Sequence, residues 1–332
     1  MSESRKQLRR SVCGACMANN WIPGDLPPLE PIPCTKCGHP VILATRIRQF
    51  DLREVVASGG MGTVYRAMDV NLERIVAVKL MKREIFDDKE AVASFSREAR
   101  AGAALNHQNI IHVYTFDEFE GRPFLVMELA DHGSLDSRIE KQKQVDEVLV
   151  LDVGIAMCSA LESALKHNFL HRDIKPGNIL FNAEDEPKLV DFGLAREAET
   201  DADPETTVWG TPYYIAPEKV KREGETFHSD MYSLGGTLYH ALTGHVPFEA
   251  EDFKDVIAAH IYTPLTPPKQ VRTDITDQTN AALVRAMAKA PTERFETYFD
   301  FRLALEAARG AILLSIHRPG EGDKGFKSWF KR

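Results

Sequence analysis

The chain has 332 residues, 43% hydrophobic, 27% charged and 8% aromatic, a globular composition that excludes a wholly disordered chain, a collagen-like repeat and a coiled-coil rod. Acidic side chains outnumber basic ones 49 to 41, a formal charge of -8, which argues against a blanket electrostatic affinity for nucleic acid. At roughly 100–200 residues per domain, the length suits two domains or one two-lobed domain with an appendage.

Residues 1–11 form a basic lead without the apolar stretch of a secretory signal. Segment 12–42 follows, with four of the five cysteines, Cys13, Cys16, Cys34 and Cys37, and five prolines between the two cysteine pairs. So many prolines exclude a helix, and some 30 residues need more than apolar burial to hold a fold. Each Cys-x2-Cys knuckle turns two thiolates toward one point, with Gly14 and Gly38 expected to supply the tight turns. Four thiolates complete a tetrahedral site and leave no position for a catalytic water, so the pattern points to a structural Zn2+ and resembles a zinc ribbon. Unrelated thiols or a redox pair are the competing readings; His39 could compete as a ligand but is read as lying just outside the knuckle. Residues 43–49 read as a linker. Since the cysteines would then lie outside the main fold, Cys34→Ser is expected to spare most of whatever activity the rest carries.

From Phe50 the texture is strand-like. Phe50–Ala57, Gly62–Val70 and Arg74–Met81 are rich in β-branched residues and separated by Ser58-Gly59-Gly60 and Asn71-Leu72-Glu73. A helix is predicted over Ala91–Asn106, then strands over Ile110–Phe116 and Pro123–Leu129. Helices follow at Asp146–His167, Ser229–Leu242, Phe253–Ile261, Asp277–Ala288 and Tyr298–Ala308. Strands first and helices later give an α+β chain with a small β-rich lobe at 50–128 and a larger helical lobe at 129–308. Residues 309–332 are a basic tail, read as solvated. Spanning a bilayer takes about 20 apolar residues; the longest run near the C-terminus is Ala311–Ile316, so no transmembrane segment is expected and the chain reads as cytoplasmic. Cys158, in an apolar helical stretch, reads as an inert core thiol.

The segment Ala57-Ser58-Gly59-Gly60-Met61-Gly62-Thr63-Val64 joins two strands, and its glycines let backbone N–H groups approach phosphates. Taken alone it fits an ordinary hairpin equally well. Val76-Ala77-Val78-Lys79 on the next strand strengthens it, and Glu98, 19 residues after the lysine, could orient that ammonium from a helix. Next come His171-Arg172-Asp173-Ile174-Lys175-Pro176-Gly177-Asn178 and, 13 residues after Asn178, Asp191-Phe192-Gly193. Ala216-Pro217-Glu218, Asp230 and Arg294 complete an ordered set. Over about residues 50–308 these motifs resemble the Ser/Thr protein kinases of the bacterial Hanks type.

The resemblance implies a two-lobed protein-kinase fold, preceded here by a small four-cysteine zinc ribbon. It implies transfer of the ATP γ-phosphate to Ser or Thr hydroxyls of protein substrates with Mg2+, a reaction that needs positioning and charge neutralisation. By resemblance Lys79 holds the α/β-phosphates and is fixed by Glu98. Asp191 and Asn178 hold Mg2+, Asp173 receives or orients the substrate hydroxyl, and Lys175 steadies the γ-phosphate. Ala57, Gly59, Gly60 and Gly62 form the phosphate loop. Val64, Ala77 and Leu180 sandwich adenine, Met127 closes the back of the pocket, and Glu128 and Ala130 offer backbone hydrogen bonds. Glu218 and Arg294 form a buried ion pair, and Asp230 holds the catalytic loop. Lys175, with Thr211, fits the Ser/Thr branch.

Two positions depart from the pattern. Ala57 stands at the first glycine of the loop, with weakened or unaltered nucleotide binding expected. Gly102 stands where a larger apolar residue often supports the helix, either leaving that helix less secure or admitting a close neighbour. Arg172, before the catalytic aspartate, implies activation by phosphate, with Thr206 and Thr207 preferred over Thr200. Glu197, Glu199, Asp201, Asp203 and Glu205 could instead supply a permanent counter-charge. The alternatives to an enzyme are a nucleotide-binding pseudokinase scaffold and a binding module in which the ribbon meets a protein partner; no specific nucleic acid is expected.

Overall fold

The computed structural model describes residues 8–27, 29–192, 196–197 and 212–316. The chain divides into two compact units. One runs to Gly133 and takes in Ile179–Arg196; the other holds Ser134–Asn178 and the chain from Glu197 onward.

The first unit begins with a hairpin of β1 (Leu8–Val12) and β2 (Asn19–Pro23), then a second of β3 (Ile32–Pro33) and β4 (Pro40–Val41). The small core of this cysteine segment holds Cys13, Ile22, Cys34, Val41 and Leu43, and no helix occurs among the described residues of 12–42, as the prolines require. An antiparallel sheet of six strands follows: β5 (Thr45–Ile47), β6 (Phe50–Ser58), β7 (Gly62–Asp69), β8 (Arg74–Met81), β9 (Val113–Phe119) and β10 (Arg122–Met127), ordered β5-β6-β7-β8-β10-β9. The expected linker at 43–49 is therefore corrected: Thr45 pairs with Leu52 and Ile47 with Phe50. Three residues are too short to show a strand's alternation. What holds them is burial, since Ile42 and Ile47 are fully enclosed in the core with Leu52, Val78 and Phe124.

The other face of the sheet carries α1 (Lys89–Ala104). Its N-cap, Asp88, accepts the N–H groups of Glu90 and Ala91, and its Phe95 and Ala99 pack on Met81 and Leu125. Gly102 faces β9 so closely that a Cβ there would lie 2.5 Å from Val113 Cγ2. Of the two explanations for this glycine, close approach is the one the geometry supports. The strand expected from Ile110 starts only at Val113, because Ile110 instead bridges Leu189. Leu189 closes a hairpin of β12 (Ile179–Phe181) and β13 (Pro187–Leu189), tied on by Phe181 N–H donating to the Gly133 carbonyl at 2.9 Å.

The second unit is helical, with β11 (Phe169–Leu170) before its central loop. Its helices are α2 (Leu135–Gln142), α3 (Glu147–Lys166), α4 (Pro217–Lys221), α5 (Phe227–Thr243), α6 (Phe253–Tyr262), α7 (Pro268–Val271), α8 (Asp277–Ala286) and α9 (Tyr298–Ile316). α2 escapes the sequence pattern because only Leu135 and Ile139 are buried in it. α3 packs on α5 and α9 at the middle of the unit. Among the described residues it is the one helix long and apolar enough to cross a bilayer, although 50% of that window is buried inside the fold. Asp152 interrupts its apolar run, which hides that property from an unbroken count. Cys158 in α3 is fully buried, as expected, and burial pushes its thiol well above the usual range. α9 continues past the expected tail boundary at 309 to Ile316, with Arg309 ion-paired to Asp152 at 2.5 Å.

Candidate active site

In the first unit, Gly59 N–H donates to the Gly62 carbonyl at 2.9 Å, closing the loop between β6 and β7. Gly62 is sterically required, since a Cβ would meet the Leu80 carbonyl oxygen at 2.9 Å, whereas Gly60 has nothing within 4 Å. An open surface at Gly60 is what a backbone donor to phosphate needs. Ala57 sits inside the ladder opposite Val64, so its methyl group falls on strand rather than on the tight turn.

Lys79 pairs across the sheet with Val64 on one side and Leu125 on the other, which puts its side chain on the α1 face. There Nζ donates to both carboxylate oxygens of Glu98, at 2.7 and 2.6 Å. Glu98 is 7% exposed. Burial pushes its carboxyl above the ordinary range, Lys79 opposes that, and the Asp191 charge adds to it. Asp191 has φ +68°, a left-handed conformation that aspartate tolerates better than most side chains. Ala77 lies opposite Met127 in the ladder, on the Lys79 face, and Val64 shares that face. Leu180 in β12 is half-buried between enclosed Ile179 and Phe181. The Glu128 amide donates to the His112 carbonyl at 2.8 Å, so its own carbonyl is the group it can offer a base. Lys188, 2.8 Å from the Glu128 carboxylate and almost wholly buried, is a neighbour that no sequence spacing signals.

In the second unit the loop after β11 brings Asp173, Lys175 and Asn178 together. Lys175 Nζ lies 2.6 Å from Asp173 Oδ2. Asn178 Nδ2 donates to the Asp173 carbonyl at 2.8 Å and to Oδ2 at 3.0 Å. That arrangement spends the amide nitrogen and leaves Asn178 Oδ1 as a hard oxygen ligand of the kind Mg2+ takes. Arg172 stands at φ +70°, a strained conformation for a long side chain. Asp230 holds it there, accepting the N–H groups of His171 at 2.7 Å and Arg172 at 2.8 Å. Glu218 and Arg294 make a bidentate pair at 2.7 and 2.8 Å, with Arg294 1% exposed. Two further residues, missed from the sequence, bear on Arg172. Lys219 Nζ donates to its carbonyl at 3.0 Å, and Glu225 lies 3.2 Å from Lys219 and 4.0 Å from Arg172 Nε.

The four sulfurs of Cys13, Cys16, Cys34 and Cys37 lie within 4.8 Å of one another. Cys13–Cys37 at 3.6 Å and Cys16–Cys34 at 3.7 Å match the ~3.8 Å edge of a tetrahedron whose metal–sulfur bonds are about 2.3 Å. The two knuckles repeat each other. Met17 and Gly38 donate to the carbonyls of Cys13 and Cys34, and those cysteines' N–H groups donate to the carbonyls of Ala18 and His39. The left-handed residues are Met17 (φ +59°) and Gly38 (φ +76°), which corrects the expectation for Gly14. The Lys36 backbone N–H, 3.4 Å from Cys34 Sγ, lowers that thiol to about 6, while the neighbouring sulfurs and burial raise Cys37 to about 12. Gly193, Thr200, Thr206, Thr207, Thr211 and the side chains of the acidic run from Glu197 to Asp203 and Glu205 lie outside the described residues.

A protein kinase domain model matches residues 50–298. The serine/threonine-protein kinase PknB of Mycolicibacterium smegmatis is 33% identical over 264 residues, 77% of this chain and 42% of its own length. PknE of Mycobacterium bovis, named likewise, is 36% identical over 267 residues, 80% of this chain and 47% of its own. The chain thus spans less than half the length of the curated relatives it matches.

Proposed function

The chain belongs to the protein kinase family, and on that premise we propose that it transfers the γ-phosphate of ATP to Ser or Thr hydroxyls of protein substrates. The observation that carries this is the Asp173 cluster. One carboxylate is held by both Lys175 and Asn178, which fixes it to receive or orient a hydroxyl. Lys79, oriented by Glu98, would take the α/β-phosphates, with the 57–62 loop over them and Val64, Ala77, Leu180 and Met127 around the base. Asp191 and Asn178 would hold Mg2+, which supplies charge neutralisation of the phosphates when bound. A scaffold without catalysis has nothing in its favour, because Lys79, Asp173, Asn178 and Asp191 are all present. Lys175, two residues after Asp173, supports hydroxyl acceptors of the Ser/Thr class. Mass spectrometry of a mixed acceptor protein after incubation with ATP tests that choice; phosphate on tyrosine alone would refute it.

The four-cysteine cluster would hold one Zn2+ as a structural ion. The same reading puts the protein in the cytoplasm, where ATP is at hand and thiols stay reduced. Control by phosphate at Thr206 or Thr207, paired to Arg172, is part of the proposal.

A further inference from the structure

The cysteine segment reads from the sequence as an appendage, yet both of its knuckles bear on the strand that leads into the phosphate loop. At the first knuckle, Gly14 lies so near Glu54 that a Cβ on it would sit 2.0 Å from Oε2. At the second, His39 Nε2 donates to the Val55 carbonyl at 3.1 Å, so that nitrogen carries a hydrogen. Glu54 and Val55 are consecutive in β6, which runs on through Ala57 and Ser58 into the loop.

These contacts fall where β6 has least support of its own. β5 pairs with it only as far as Leu52. Its register with β7 shifts between Leu52 and Glu54 and again between Val55 and Ala57. A strand edge beyond its last neighbour leaves backbone groups in need of partners, and Val55 finds one in His39. His39 is itself fixed by the knuckle, because the Cys34 N–H donates to its carbonyl at 2.8 Å. The segment is anchored at its other end as well. Ser11 Oγ donates to the Ile42 carbonyl at 2.8 Å, and Ile42 is enclosed in the core of the sheet.

We infer that the metal-held cysteine segment is a positioning element for the phosphate loop, with His39 as its contact, so that metal occupancy and His39 set nucleotide affinity. This rests on the kinase reading and adds to it a determinant of ATP binding that lies outside the matched domain. The knuckle that aims His39 depends on the sulfurs being held at one point. Without that hold β6 loses its partner at Val55, and nucleotide must then order the loop as it binds. Such an ordering cost appears in the binding constant more than in the chemical step.

The test uses the full chain, metal-loaded, stripped by chelator, and reloaded with zinc, beside His39→Ala and His39→Gln. Binding of a non-hydrolysable ATP analogue with Mg2+ is measured by calorimetry, and amide hydrogen exchange is followed over residues 50–62. His39→Ala should retain its metal, exchange faster in β6 and bind nucleotide roughly three- to tenfold more weakly, the size of one hydrogen bond. KM for ATP should rise by the same factor with kcat within about twofold. His39→Gln, whose amide can still donate to Val55, should recover most of the affinity. Stripping should weaken binding at least as much, and zinc should restore it. Unchanged affinity in both His39→Ala and the stripped chain, with the loaded chain binding normally, would overturn the inference and leave the kinase reading intact. If stripping unfolds the sheet altogether, His39→Ala decides alone. A loaded chain that binds no nucleotide would overturn both readings.

Discussion

Arg172 Nε lies 4.0 Å from a carboxylate oxygen of Glu225, with the two side chains only 11% and 19% exposed. Lys219 shares that carboxylate at 3.2 Å, so among the described residues Glu225 is ion-paired to two cations at once. Arg172 Nε has no hydrogen-bond partner among the described residues. A buried guanidinium short of an acceptor favours the approach of a further anion, and a phosphate carries nearly two negative charges. Glu225 is thus a partial, permanent counter-charge, which supports phosphate at Thr206 or Thr207 as the completing one.

The consequence is measurable in the Thr206→Ala/Thr207→Ala double variant. Its kcat toward a separate substrate should fall by roughly tenfold or more, and adding Glu225→Gln should lower it further, since the carboxylate paired with Arg172 has gone as well. Intact mass after incubation with ATP reports whether the wild-type chain modifies itself. Full activity in the triple variant would mean that Arg172 needs no anion.

The Glu218–Arg294 pair is a stability element. Burial raises the Glu218 carboxyl, but the hydrogen bonds and charge of Arg294, together with hydrogen bonds from the backbone and Ser229, outweigh it and hold the group below its ordinary range. A carboxylate lowered in the folded state stabilises above its unfolded pKa and loses that contribution as pH falls through the folded one. Arg294→Ala should cost about 3–5 kcal/mol by leaving a buried carboxylate unpaired. Thermal melts from neutral pH into the acid range would check both points. The wild type should lose stability below the ordinary carboxylate range, and the variant should lose less. An unchanged midpoint at neutral pH would contradict this.

Gly102 separates helix propensity from packing. Propensity alone gives Gly102→Ala a gain of up to ~1 kcal/mol. The 2.5 Å approach to Val113 Cγ2 predicts overpacking instead, and a cost of about 1–3 kcal/mol makes the net change destabilising. A raised melting temperature would show that β9 yields without strain.

The parts of the site legible in the sequence are those whose chemistry fixes both residue type and spacing. Asp173, Lys175 and Asn178 lie on one loop, and Lys79 and Glu98 on neighbouring elements, so motif order identifies them. Glu225, Lys219 and Lys188 escape because their roles arise from pairings between distant segments that no local pattern records. β5 escapes for a related reason: three residues carry no periodicity, and their place is set by Ile42 and Ile47 entering a core built from later strands. With β5 hidden, nothing in the sequence ties the cysteine segment to the sheet. Met17 escapes too, since a methionine at φ +59° answers to the knuckle's hydrogen bonds and not to its own preference.

Phosphoryl transfer by the intact chain, with Asp173→Asn and Lys79→Met as controls, decides whether this protein is a kinase. The reaction is followed with γ-labelled ATP, Mg2+ and a generic basic acceptor. The wild type should label Ser or Thr only when Mg2+ is present, and each variant should lose at least ~10²-fold in rate, as expected for removing a positioning or electrostatic group. A metal-loaded wild type that binds ATP yet transfers nothing, or an Asp173→Asn chain as fast as the wild type, would contradict it.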